Sequence, residues 1–231
     1  GANSVSGGYE ISNSLRFNDD DSAYLSKTPN ASNRKTFTYS AWVKRTTQSQ
    51  DTLFAAYTND SNRLRISFNG DHRFLIFGKD GGSTNINLTC TPNFRDPSAW
   101  YHIMVAFDTT QSTESNRIKA YVNGEQITNF EASTYPSQNY DTIINSNTGH
   151  YIGQRGDSGG YIDGYLTEAH FIDGTAKSPT DFGEFDDNGV WIPIKYTGTY
   201  GNNGFFLEFQ NTGDAGEDSS GNSNNFTGSG M

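Results

Sequence analysis

The chain has 231 residues and a formal net charge of −10, with 32% apolar and 14% aromatic residues. That charge weighs against nucleic acid, whose phosphates require clustered Lys and Arg, and against an anionic membrane surface. The single cysteine, Cys90, excludes an internal disulfide, and no apolar run approaches the ~20 residues of a membrane helix.

Residues 1–13 are small and polar and read as a flexible N-terminal segment. Residues 14–17 and 24–26 read as short strands around the turn Asn18-Asp19-Asp20-Asp21, and 27–34 as a connector holding Pro29. Phe37, Tyr39, Ala41 and Val43 alternate with Thr38, Ser40 and Trp42, and a period of two means a strand. Strands at 53–57 and 64–68 follow, joined by a turn at 58–62; Asn69-Gly70 then turns the chain into 74–77. Residues 79–84 read as a Gly-rich loop and 86–88 as a short strand, before Pro92 and Pro97 bracket a connection to Trp100.

The next stretch organises the rest. Tyr101, Ile103, Val105 and Phe107 oppose His102, Met104 and Ala106, and Ile118, Ala120 and Val122 repeat the pattern. Asn123-Gly124 suits the two positive φ angles of a type I′ hairpin, with 125–128 running back. Strands this apolar need a second layer. Residues 132–148 form a long polar loop, 151–153 a short strand and 154–160 a tight Gly-rich loop. Over 165–173 the alternation puts Leu166, Glu168, His170 and Ile172 opposite Thr167, Ala169 and Phe171. A helical turn is expected at 178–182, then strands at 191–196 and 205–210. Residues 211–231 read as a Gly/Asn/Ser-rich segment of turn or coil. Trp42, Trp100, Phe107 and Phe171 are expected in the core. The fold class is therefore all-β: a two-sheet antiparallel jelly-roll sandwich over 14–210, with at most one or two short helical turns. The small residues at both ends read as the margins of a piece cut from a longer protein.

Two stretches carry a family likeness. Trp100-Tyr101-His102-Ile103 leads to Ala120-Tyr121-Val122-Asn123-Gly124, and Tyr161-Ile162-Asp163-Gly164-Tyr165-Leu166-Thr167-Glu168-Ala169-His170-Phe171 precedes Ala176 and Pro179. Together they resemble the laminin-G/pentraxin-like branch of the concanavalin A-like lectin/glucanase superfamily, and within it modules of marine bacteriophage tail proteins. The resemblance implies rim loops that bind sugar and, in some relatives, calcium at the sandwich edge. It does not imply one function, because this superfold hosts lectins, hydrolases and spacers.

Glucanases of that superfamily use a Glu-x-Asp-x-x-Glu strand. Glu184-Phe185-Asp186 starts such a pattern, but position 189 is Gly. Asp163 and Glu168 stand five apart, which puts them on opposite faces of a regular strand. No enzyme is expected. For calcium, Asp19, Asp21 and Asp163 are the candidate ligands, since irregular acidic turns supply its oxygens; Asp218-Ser219-Ser220-Gly221-Asn222 reads as a turn only. His72, His102, His150 and His170 lack zinc spacing. The sequons at Asn30, Asn59, Asn87 and Asn225 follow from composition and receive no glycan in this reading.

Sugar binding needs aromatic faces beside planar polar groups. The ligand candidates are Tyr57, Asn59, Asp60, Arg63, Asp71, His72, Arg73, Arg155 and Asp157, with Tyr135 and Tyr140 adding aromatic surface. The expected function is a non-enzymatic carbohydrate-recognition module of a phage tail or tail fibre, on the virion surface after synthesis in the host cytoplasm. Its partners would be host cell-surface polysaccharide and other virion proteins, with homo-oligomerisation left open and no nucleic acid or membrane insertion. The alternative is a structural or protein-interaction sandwich of the virion; a glycoside hydrolase stands third.

Overall fold

The computed structural model describes residues 8–47 and 49–231, so most of the expected flexible segment lies outside the described residues. Strands in chain order are β1 (Leu15–Phe17), β2 (Tyr24–Lys27), β3 (Thr36–Arg45), β4 (Asp51–Asn59), β5 (Asn62–Phe68), β6 (Arg73–Asp80), β7 (Ser83–Asn93), β8 (Tyr101–Asp108) and β9 (Ile118–Val122). They continue as β10 (Glu125–Gln126), β11 (Phe130–Thr134), β12 (Gly149–Ile152), β13 (Gly164–Asp173), β14 (Gly183–Phe185), β15 (Trp191–Pro193), β16 (Phe205–Leu207) and β17 (Thr227–Ser229). Short 3-10 turns at Glu114–Asn116 and Pro179–Asp181 are the only helical pieces among the described residues. None is long or apolar enough to cross a membrane.

The strands build the expected sandwich. A seven-stranded sheet runs β1-β13-β3-β8-β9-β10, with β16 also on β13; an eight-stranded sheet runs β11-β7-β6-β5-β4-β12-β2-β17. Every pairing is antiparallel. Phe37, Tyr39, Ala41 and Val43 of β3 and Phe54, Leu64, Ile66 and Phe74 of the other sheet all point between the layers. Aromatic rings run through that space among aliphatic side chains. Phe54 stacks on Tyr39 at 5.0 Å and leans on Phe171 at 5.5 Å, and Phe171 stacks on Phe205 at 5.6 Å. Each such ring buries a large apolar area and adds a preferred stacking geometry.

Four local readings are corrected. Residues 79–84 are not a loop: Gly81 (φ 56°) and Gly82 (φ 86°) make a two-residue turn, so the strands extend to it and β7 is 11 residues long. The glycines mark the turn alone. In β13 the pairing register shifts between Thr167 and His170, and Glu168 sits at φ 49°. This bulge reverses the parity, so Leu166 shares the core with Ala169 and Phe171, while Ile172 faces the other way. Trp100 is not core; it is 36% exposed and tilted against Tyr165 at 6.5 Å. Finally, β17 pairs with β2 and Phe226 packs edge-on to Phe205 at 4.8 Å, so the chain end beyond 210 is more than coil. Within it, Asp218 accepts from the Phe206, Ser220 and Asn224 N–H groups at 2.9, 2.9 and 2.8 Å, which makes 218–222 a turn.

The sheets differ on their outer faces. Residues 174–204 fold back over the seven-stranded sheet as a cover, comprising the 3-10 turn at Pro179–Asp181 and the β14-β15 hairpin. Phe182 and Tyr196 from this cover bury Met104, Ala106 and Ile172 in a second small core. Trp191 seats on Gly124 and Gly183: a Cβ at either would stand 2.4 or 2.5 Å from its ring. The Asn123-Gly124 turn does have both φ angles positive, at 50° and 80°. Trp191 Nε1 donates to His102 Nδ1 at 3.0 Å, so His102 Nε2 carries the proton toward Ser40 Oγ at 2.8 Å. Burial, then the nearby His170, pulls the His102 pKa down to about 3.

Candidate functional site

The outer face of the eight-stranded sheet carries no such cover. Because Leu64, Ile66 and Phe68 point into the core, Arg63, Arg65 and Ser67 must point out. Register then aligns Tyr57 with Arg63, Ala55 with Arg65 and Phe77, and Thr52 with Ser67. The Phe77 ring lies under two guanidiniums, 5.1 Å from that of Arg65 and 5.8 Å from that of Arg63, a cation–π arrangement. Arg63 Nη1 also donates to Asp60 Oδ1 at 2.9 Å, and Tyr57 OH reaches the same oxygen at 3.4 Å.

One loop forms a wall on this floor. Between β12 and β13, the Arg155 N–H donates to the Gly159 carbonyl and the Ile162 N–H to the Gly153 carbonyl, each at 3.0 Å, which closes the loop on itself. Gly156 (φ 95°) lies flat on the sheet; a Cβ there would stand 2.4 Å from Tyr57 Cβ and 2.9 Å from Tyr151 Cε2. Only glycine fits. The Arg155 side chain donates to Asp157 Oδ1 at 3.0 Å and to Gln50 Oε1 at 2.6 Å. On the far side of the loop Tyr24 tilts against Tyr151 and Tyr161, with centroids 6.2 and 6.4 Å apart.

Six buried side-chain polar atoms have neither a hydrogen-bond nor an ion-pair partner among the described residues. Four belong to this sheet face, namely Thr52 Oγ1, Arg63 Nε, Arg65 Nε and Ser67 Oγ, and a fifth, Gln154 Oε1, belongs to the first residue of the wall. Orphaned buried groups are rare and mark bound water or ligand. Arg65 is the most exposed to this argument. Burial, then its neighbours Arg155 and Arg63, pull its pKa down to about 10, with Asp157 opposing.

Of the residues expected at a sugar site, the structure brings Tyr57, Asp60, Arg63, Arg155 and Asp157 together here. Asn59 instead builds the β4-β5 turn, its Oδ1 accepting from the Ser61 N–H at 3.0 Å. Asp71, His72 and Arg73 belong to the turn at the opposite end of β5, where Asn69 Oδ1 caps the Asp71 and Arg73 N–H groups at 3.0 Å and Arg73 pairs with Glu131. Tyr135 and Tyr140 pack against the main core. Arg65, Phe77 and Tyr151 lie on strands, outside the loop candidates; their signal in the sequence is an outward aromatic or arginine on strands whose inward positions are apolar.

The three acids proposed for calcium do not form a ligand set. Asp163 is paired with Arg16, Asp21 accepts from Asn18 Nδ2 at 2.6 Å, and no group of three acidic, His or Cys side chains fit to hold a metal occurs among the described residues. Asp186 is a turn acid, held below the usual carboxylate range chiefly by the Val190 N–H, which donates at 2.8 Å. Glu168, in the bulge, takes the Tyr9 hydroxyl at 2.9 Å on the other sheet.

A family model described as the concanavalin A-like lectin/glucanases superfamily matches residues 17–181. No curated protein matches in sequence. Among solved structures, a Bacteroides ovatus protein assigned provisionally as carbohydrate binding aligns at TM-score 0.54 and 16% identity, over 93% of this chain and 56% of that one. Tailspike protein 2 of the Escherichia coli O157:H7 bacteriophage CAB120 aligns at TM-score 0.53 and 14% identity, over 73% of this chain and 23% of that one. A SAP-like pentraxin from Limulus polyphemus aligns at 0.44 and 16% identity, covering 69% and 79%, too loosely to argue from. The chain thus spans about half of the Bacteroides protein and a quarter of the tailspike, and at these identities the likeness is one of fold.

Proposed function

Because the chain belongs to the concanavalin A-like lectin/glucanases superfamily, we propose that it is a carbohydrate-recognition module whose ligand lies on the open face of the eight-stranded sheet, against the 154–160 loop. One observation carries this reading: aromatic rings and unsatisfied polar atoms converge on a sheet face that the 154–160 loop covers in part. Tyr57 and Tyr151 offer ring faces and hydroxyls to sugar C–H and O–H groups, an apolar body with a polar tip. Arg63, Asp60 and Asp157 supply planar hydrogen-bonding groups that fix orientation.

The module binds without turnover. A retaining hydrolase needs two carboxyl groups about 5–5.5 Å apart, one of them able to donate a proton. Asp60 and Asp157 on this face are each held by an arginine, Arg63 or Arg155. The finer placement is a phage virion, at the tail, contacting host surface polysaccharide after assembly in the host cytoplasm. What supports it is the wording Asp163-Gly164-Tyr165-Leu166, shared with phage tail modules, and a lone buried cysteine, compatible with synthesis in a reducing compartment. Several copies on one particle would raise weak single-site binding by roughly 10²–10⁴. A purely structural role calls for an exposed apolar patch. The large apolar side chains exposed among the described residues are Trp100, Phe185, Val190 and Met231, of which Phe185 and Val190 share the β14-β15 hairpin.

A glycan array probed with the wild-type protein and with Tyr57→Ala and Tyr151→Ala tests the reading. Hits that weaken by about tenfold or more in both variants, the scale of one lost aromatic contact, are expected. A blank array overturns it, and release of reducing ends from a bound polysaccharide overturns its non-enzymatic part.

A further inference from the structure

We propose that this face recognises an acidic saccharide, with Arg65 receiving the anionic substituent, a carboxylate or a sulfate. The inference rests on the carbohydrate reading above and names the chemistry of its ligand.

Arg65 differs from the arginines around it, and Arg34 and Arg117, which hold no carboxylate either, are satisfied by backbone carbonyls. Arg16, Arg45, Arg63, Arg73 and Arg155 each hold a carboxylate. Among the described residues Arg65 holds none, although it is half-buried in the sheet face and its Nε is sealed from solvent without a partner. Its aromatic platform, Phe77, orients the guanidinium plane but supplies no acceptor. A desolvated charge without a counter-charge is destabilising, and its removal from water is offset only by a paired anion. The protein as a whole carries a net charge of −10, so acidic side chains are abundant, yet the carboxylate that acts on Arg65 is Asp157, which Arg155 already holds.

The surroundings match an anion too. Arg63 and Arg155 are near enough to depress the Arg65 proton affinity, and only Asp157 opposes them. Asp157 is itself bonded to Arg155 at 3.0 Å and Asp60 to Arg63 at 2.9 Å. Three guanidiniums against two carboxylates leave one positive charge over, at Arg65. Thr52 Oγ1 and Ser67 Oγ, register partners on the same face, are buried next to it without partners. A planar guanidinium takes carboxylate or sulfate oxygens in a bidentate fork. Neutral sugar hydroxyls would leave the charge unmet.

The test uses matched probes: polygalacturonate against its fully methyl-esterified form, polysialate against its methyl ester, and dextran sulfate against dextran. Binding is measured by calorimetry at fixed ionic strength for the wild-type protein, for Arg65→Met, which keeps the stem against Phe77, and for Lys195→Met as a charge-matched control at an exposed site. Preference for the acidic member of at least one pair by about tenfold, the worth of one charge-assisted hydrogen-bonded contact, is expected. That preference should vanish in Arg65→Met and persist in Lys195→Met. The two ester pairs and the sulfate pair tell carboxylate from sulfate. Equal binding of acidic and neutral members by the wild-type protein overturns the inference even if Arg65→Met fails to fold, and so does a preference that survives Arg65→Met. A panel without any binder also overturns it, whereas the carbohydrate reading itself falls only with a blank full array.

Discussion

The two sheets of this sandwich follow one rule of construction and end in opposite states. Each sends alternate residues outward, and in each those residues include aromatic rings and titratable groups. Over the seven-stranded sheet, residues 174–204 return as a cover, and the outward groups become interior: His102 is bonded on both ring nitrogens, and His170 takes the Tyr200 hydroxyl at 2.9 Å. Over the eight-stranded sheet only the 154–160 loop descends. There, five buried polar atoms keep unmet hydrogen-bonding capacity, and Arg65 keeps its charge. Satisfied polar groups stabilise a fold, and unsatisfied ones at an opening are the capacity to bind. Stability is thus concentrated on one outer face and recognition on the other.

The largest expected effect breaks the covered face. Trp191→Ala removes a ring seated on two glycines and leaves His102 Nδ1 without its donor. A loss of about 3–5 kcal/mol in stability is expected from that truncation, read by denaturant unfolding, with glycan binding of the folded fraction unchanged. Weaker binding at full folding would mean that the two faces are not independent.

Acid sharpens the comparison next. His102 and His150 are neutral when folded, at about 3 and about 4, because both are buried; His150 Nδ1 donates to the Thr148 carbonyl at 2.9 Å and Nε2 accepts the Asn145 N–H at 3.0 Å. The unfolded chain takes up these protons near pH 6.5, where the folded chain refuses them. Their stabilisation is therefore complete above pH 6.5 and declines as pH falls toward 4 and then 3, by about 1.4 kcal/mol per pH unit for each histidine. Asp51, raised by burial to about 6 against the pull of Arg45, works in the opposite sense between roughly 4 and 6, since its folded form binds the proton first. Two imidazoles outweigh one carboxyl. Melting temperature should fall between pH 6.5 and 4, and His102→Gln should flatten the curve.

The smallest effect concerns the rim. With Asp163 paired to Arg16 and Asp21 bonded to Asn18, chelation of divalent ions should leave the melting temperature within about 1 °C, a fraction of a kcal/mol for a chain of this size. A larger drop would show that these turns hold a structural ion.

Alternation made the long strands legible. Phe37 to Val43 and Tyr101 to Phe107 face inward as their spacing requires, because a strand has one freedom of facing and the core claims it. The Asn123-Gly124 turn was legible for the same local reason, its φ angles being a property of two residues. Its second duty, receiving Trp191, was not, since the partner lies far along the chain. The bulge at Glu168 defeated parity because one extra residue leaves no compositional trace. Of the site, Tyr57, Asp60, Arg63, Arg155 and Asp157 were found as loop polar residues, while Arg65 and Phe77 were passed over as ordinary strand positions.

What the amino-acid order determined by itself was the layering: periods of two, punctuated by glycine and asparagine, commit each strand's apolar side to a shared interior. What only the tertiary structure decided was the fate of the other sides. An outward residue is known from its neighbours in sequence to leave the core, but whether it then meets solvent or a distant returning segment depends on where that segment lands. Here residues 174–204 fell on one sheet and left Arg65 half-buried on the other, without a counter-ion among the described residues.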